Sequence, residues 1–141
     1  MRTRGRSGKI GGVTIDLTAP FALSAADAVL APEALDPGQI LAGEPRVASA
    51  VLHESVPAGP GARAVQRGIW EITPGVVADV EADEVFVVLS GRATIEFEGG
   101  RTLEVGPGDV AVLPEGAVTR WTVHETLRKV YQVTYAPEDD A

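Results

Sequence analysis

TPGVVADVEADEVFVVLSG, residues 73–91, decides the fold. Its first apolar run, VVADV at 76–80, is short and rich in β-branched residues, which favour strands. Its second, EVFVVLS at 84–90, is apolar at consecutive positions, as expected of a strand covered on both faces. The second cover is either another sheet or a partner subunit, and the latter predicts a homodimer.

Outward from this stretch the same grammar repeats. RVASAVLHE (46–54), RAVQRGIWEI (63–72), RATIEFE (92–98), RTLEV (101–105), DVAVLP (109–114), TRWTV (119–123) and LRKVYQVTY (127–135) are short β-favouring runs divided by Gly and Pro. Many short, evenly spaced strands indicate an all-β sandwich or barrel. RATIEFEGGRTLEV is a hairpin with one wet face: Ala93, Ile95 and Phe97 alternate with Thr94, Glu96 and Glu98, and Gly99-Gly100 supplies the turn. Upstream, VTIDL (13–17) predicts a short strand, and Ser24 predicts the cap of a short helix over 25–31 that Pro32 stops. The expected organisation is a flexible basic tail (1–12), an N-terminal extension packed on the barrel (13–45), the barrel itself (46–136) and an acidic C-terminal tail (137–141).

Composition narrows the function. The 141 residues suit one domain with a real core. No apolar run approaches the length of a membrane span, and no secretory leader is visible, so a soluble, cytoplasmic protein without a membrane partner is expected. The absence of cysteine excludes disulfides, thiolate nucleophiles and cysteine-based zinc sites. Arg2, Arg4, Arg6 and Lys9 crowd the first nine residues, so the body is more acidic than the net charge of −8 implies. Such a surface repels nucleic acid, and no nucleic-acid partner is expected.

The glycine and proline frame resembles that of the cupins. Their first motif runs His-x-His, three or four residues, Glu, six residues, Gly, and Glu84 and Gly91 hold its last spacing. Their second runs Gly, five residues, Pro-x-Gly, two residues, His, and appears here as Gly108, Pro114, Gly116 and Thr119. RGIWEITPG, DEVFVVLSGRATI, GPGDVAVLPEG and RWTVHETLRKVY resemble the DUF861-type subfamily that includes (S)-ureidoglycine aminohydrolase. The resemblance covers most of the chain and implies a double-stranded β-helix, or jelly-roll barrel. It does not carry the relative's metal-dependent activity with it, because Ala78, Val80 and Thr119 stand where a three-residue count from Glu84 and the second motif place the imidazoles. One carboxylate and a hydroxyl do not satisfy a divalent transition metal. Strand parity turns Asp83 outward, leaving one inward carboxylate, and no cofactor is expected: Mn, Fe, Zn and Ni lack ligands.

What remains is acid/base chemistry. An inward Glu84 in an apolar barrel has its charged form disfavoured, the condition for a general acid or base. Lys129 is the one lysine outside the tail in a chain that otherwise uses arginine, which suggests that a compact ammonium is wanted there. Thr119 and Trp121 share parity and point inward, and with Trp70 and Tyr131 they complete a candidate substrate pocket. Each residue also has a plainer role: Glu84 tying down loop amides, Lys129 pairing with a surface carboxylate, the aromatics filling core. His53 and His124 are read as exposed. The expectation is a small-molecule enzyme working by metal-independent general acid/base catalysis as an isomerase, lyase or hydrolase. The alternative is a non-catalytic metabolite-binding or scaffold barrel.

Overall fold

The computed structural model describes residues 7–10, 13–55 and 57–137. In chain order the strands are β1 (Ser7–Ile10), β2 (Val13–Asp16), β3 (Ala31–Glu33), β4 (Ile40–Ala42), β5 (Val47–Glu54), β6 (Ala64–Ile72), β7 (Gly75–Val80), β8 (Asp83–Phe97), β9 (Thr102–Val105), β10 (Val110–Leu113) and β11 (Val118–Tyr135). Strands β1 and β2 pair only with each other, and the other nine form one continuous antiparallel sheet folded into a barrel. Among the described residues no helix is long and apolar enough to cross a membrane.

Two pairs of runs that the sequence separates are single strands. Residues 84–90 and 92–98 join in β8, and residues 119–123 and 127–135 join in β11. Each strand serves both walls of the barrel. The first half of β8 pairs with β10 and with residues 128–134 of β11, which continues through β6 and β5 to β3. Its second half pairs with β9 and with residues 119–125 of β11, which continues through β7 to β4. The corner falls at Gly91, where φ is 87° and a Cβ would collide with the Thr126 carbonyl opposite, and at register shifts between Val123 and Lys129. Glycine is the residue for a positive φ with such close approach, and bulges let a strand turn a barrel corner. The β8–β9 hairpin closes as read, with Gly99 and Gly100 at φ of 99° and 104°.

The core lies between the two walls. Phe86, Val88, Ala93 and Ile95 from β8 meet Ile72, Leu113, Trp121, Val123 and Leu127, all buried. Outward residues of the same strands differ: Val85, Val87, Val110 and Val112 are exposed. They are adjacent, because Val87 pairs with Val110 and Val85 with Val112.

The N-terminal segment departs from expectation in two places. Residues 25–31 form one turn instead of a helix: Ser24 accepts from the amides of Asp27 and Ala28, and β3 begins at Ala31. Pro32, which lacks an amide proton, stands one residue into that strand, and the turn has no room to propagate. The helical element sits later, as a single 3-10 turn over Pro37–Gln39 capped by Asp36. Ser7–Ile10, assigned to a flexible tail, is a strand hydrogen-bonded to β2. Arg2, Arg4 and Arg6 and most of the acidic C-terminal tail lie outside the described residues. The extension is fastened to the barrel by Arg128, whose Nη1 donates to the carbonyls of Ala25, Ala26 and Ala28 at 2.9, 3.2 and 2.8 Å.

Candidate functional site

A pocket of about 400 Å³ opens into one end of the barrel. Antiparallel neighbours point to the same side, so the ladder fixes which side chains reach it. Lys129 on β11 lies opposite Trp70 on β6 and Val88 on β8, and the next inward positions bring Tyr131, Phe86, Val133 and Glu84 together.

At its floor Lys129 Nζ stands 2.8 Å from Glu84 Oε2, with Lys129 6% and Glu84 8% exposed. The ammonium also lies 4.5 Å from the ring centre of Trp70, 4.4 Å from Phe86 and 5.0 Å from Trp121. A compact ammonium against three aromatic faces gains cation–π attraction, which is strongest where water is excluded. A compact point charge meets the carboxylate and the three rings at once, which gives the isolated lysine a physical reason. Burial pushes the Glu84 carboxyl upward, and the charge and hydrogen bond of Lys129 pull it partly back. Gly68, opposite Tyr131, leaves room for the phenol, since a Cβ there would sit 2.6 Å from its oxygen. Tyr131 donates to Gln66 at 2.8 Å, and desolvation pushes its pKa up to about 12, so it stays neutral.

Five of the six residues singled out in the sequence therefore line one cavity: Glu84, Lys129, Trp70, Trp121 and Tyr131. Thr119 is buried at its border and does not line it. Its hydroxyl donates to Glu81 Oε2 at 2.6 Å, and the Trp121 indole donates to the same oxygen at 3.0 Å.

Glu81 corrects the sequence reading. It is 6% exposed and lines the pocket, so the barrel holds more than one inward carboxylate. Asp83 does face solvent, but alternation does not run through residues 78–84 as one strand. In fact β7 ends at Val80 and β8 starts at Asp83, and residues 81–82 between them reset the pattern. Val80, expected inward, is 66% exposed. The inward positions of β7 are Val77 and Asp79, which pair with the inward Trp121 and Thr119. Four residues, not three, separate Asp79 from Glu84, so the longer form of the spacing is the one in register. Asp79 stands at the mouth, where burial and the nearby Glu81 charge raise its carboxyl from 3.8 to about 6. The two-valued gap in the spacing was the signal that would have found it.

The donor set does not suit a divalent transition metal. The imidazole positions hold Val77, Asp79 and Thr119, the Thr119 proton is directed at Glu81, and the ammonium of Lys129 occupies one side of Glu84. Among the described residues no three His, Cys, Asp or Glu side chains are arranged to hold a metal ion. A divalent transition metal placed against Glu84 would meet the ammonium of Lys129 and no imidazole. His53 and His124 are exposed and far from this chemistry: His53 Nδ1 contacts Arg67 at 3.0 Å, and His124 Nε2 contacts Thr94 at 2.8 Å.

Comparison with known proteins agrees with this architecture. No curated protein matches the chain. A protein of unknown function of the DUF861 family from Pseudomonas syringae superposes with a TM-score of 0.68 at 28% identity over 79% of this chain and 46% of its own, so the present chain spans under half of that protein. The EutQ protein of Clostridium difficile matches with a TM-score of 0.55 at 22% identity, over 93% of this chain and 94% of its own. A putative ethanolamine utilization protein of Salmonella typhimurium gives 0.58 at 16% identity, over 96% and 100%. The last two likenesses speak to fold alone. Residues 61–131, which carry the Glu84–Lys129 pair and most of the barrel, match the EutQ-like cupin domain, and the chain is a member of that cupin family.

Proposed function

We propose that the protein is a small-molecule enzyme working by general acid/base catalysis without a transition metal, as an isomerase, lyase or hydrolase of a small polar compound. The observation that carries this reading is the buried Glu84–Lys129 pair, 2.8 Å apart on the floor of an aromatic pocket. Glu84 accepts a proton from a bound substrate, since burial makes its carboxylate more basic than one in water. Lys129 faces the oxygen on which negative charge gathers and stabilises it across a short, water-poor distance. Asp79, titrating near pH 6 at the mouth, exchanges the proton with solvent. Trp70, Trp121 and Tyr131 hold the substrate's body, while Thr119 and Trp121 fix Glu81.

The competing reading, a metabolite-binding barrel without turnover, draws support from the close engagement of Lys129 with Glu84 and three rings. Turnover separates the two. Any small molecule found to co-purify with the protein identifies the compound class to assay. On a substrate so found, Glu84→Gln is expected to lower kcat by roughly 100-fold or more. Unchanged turnover in both Glu84→Gln and Lys129→Met would sink the proposal. Activity is expected to survive chelation, and stoichiometric Mn, Fe, Zn or Ni in protein purified without chelator would contradict the metal-free part.

The proposed assembly is a homodimer. Val85, Val87, Val110 and Val112 form a contiguous exposed apolar face on β8 and β10, with Val112 68% exposed, and a second copy would cover it. Val112→Lys is expected to convert a dimer to a monomer in sedimentation, and a wild-type protein that sediments as a monomer would contradict it.

A further inference from the structure

The pocket carries more negative than positive charge, and the imbalance bears on what it binds. Four carboxylates line it, Glu33, Asp79, Glu81 and Glu84, against one ammonium, Lys129, and no arginine. Lys129 is already engaged by Glu84 and enclosed by rings. Glu33, Asp79 and Glu81 have no ion-pair partner among the described residues.

Two of these carboxylates are more than nine-tenths buried and only half used. Glu81 takes both of its hydrogen bonds, from Thr119 and Trp121, on Oε2, and Glu84 meets Lys129 through Oε2. The second oxygen of each has no hydrogen-bond partner among the described residues and is open to the cavity, since no buried side-chain oxygen there is left without a partner. A carboxylate oxygen that a largely buried side chain presents to a cavity accepts from an arriving donor, most strongly when that donor carries a positive charge. Glu33 and Asp79 at the rim draw the same sign of ligand inward.

We propose that this pocket is built for a small organic cation, a primary-ammonium compound, whose charged head lies among Asp79, Glu81 and Glu84 and whose body rests on Trp70 and Tyr131. The proposal rests on the reading of the pocket as a ligand site and adds the charge of the ligand. The rings suit a cation as well as an alkyl chain, as the seating of Lys129 itself illustrates. A carboxylate ligand would meet like charge at three places and find its one counter-ion already paired.

The chain has only two tryptophans, Trp70 and Trp121, and both line the cavity, so intrinsic fluorescence reports on this pocket. Titration at pH 8 with n-propylammonium, n-propanol and propionate varies charge at nearly constant shape. The expected result is a saturable response to n-propylammonium, weakened about tenfold in Asp79→Asn, with little response to the other two. Propionate binding as well as or better than n-propylammonium would overturn the charge assignment while leaving the pocket a ligand site. An ammonium response unchanged in Asp79→Asn would also overturn it, by placing the cation elsewhere. No saturable response to any of the three would count against both the charge assignment and the reading of the pocket as a ligand site. Failure of the acid/base proposal would instead show as Glu84→Gln protein that binds and still turns substrate over.

Discussion

The inner row of β8 begins with Glu84, passes Phe86 and Val88, turns at Gly91 and ends with Ala93 and Ile95. One strand thus furnishes both halves of the barrel interior. In the far half the inward groups of β8 are apolar and packed, with Ile95 fully buried and Leu103 and Val105 beside it. In the near half the same strand presents Glu84 to a cavity that Lys129 and three further carboxylates, Glu33, Asp79 and Glu81, also line. The far half gains stability by burying apolar side chains, whereas the near half buries an ion pair beside an open cavity. Burying an ion pair costs several kcal/mol per ion in desolvation, on the order of what the Coulomb attraction returns. The near half therefore gains little stability from its charges, which is what the proposed function requires of it.

Substitutions in the two halves sharpen that contrast. The largest effect is expected from Lys129→Met alone, which strands Glu84 and lowers stability by about 3–5 kcal/mol above neutral pH. The loss should shrink on acidification. The unfolded-state carboxylate ionises at its ordinary value while the buried one resists, so the folded state holds the extra proton at low pH and loses stability as pH rises. A pH-independent loss in chemical denaturation would show that Glu84 was not ionised in the wild type. In the far half, Ile95→Ala should cost roughly 2–5 kcal/mol at every pH, a cavity effect with no titrating partner. Thr119→Val is expected to cost about 1.5–3 kcal/mol by removing a hydrogen bond to a charged acceptor, and to change the fluorescence of Trp121, which shares Glu81.

The smallest effect concerns Asp79. Its carboxyl is raised to about 6 by burial and by Glu81, with Glu84 acting in the same direction and Lys129 against it. Because the folded state holds this proton more tightly than the unfolded chain, Asp79 subtracts stability as pH rises from about 4 to 6 and adds no further slope above that. Asp79→Asn should remove that slope, and a slope unchanged by the substitution would place the titration on another group.

Much of this was legible in the residues. Glycine and proline marked nearly every strand end, because a positive φ or a missing amide proton is a local demand that the sequence meets locally. What it hid was continuity: Gly91 and residues 124–126 look like breaks, yet the ladder runs through them as corners of β8 and β11. The turn at residues 25–31 was mistaken for a helix because Ser24 caps both in the same way. In the site, Glu84 was readable from its spacing to Gly91 and Lys129 from the rarity of lysine. Glu81 and Asp79 were not, because a two-residue connection after Val80 shifts the phase, and phase across a loop is set by tertiary packing.

The most direct test of a near half shaped for function is thermal and denaturant unfolding of the double variant Glu84→Leu/Lys129→Met. If the pair serves a ligand and not the fold, this apolar replacement should match the wild type or exceed it by about 1–4 kcal/mol, while the pocket's response to n-propylammonium falls. A double variant destabilised as severely as Lys129→Met alone would contradict the account and make the pair a structural brace.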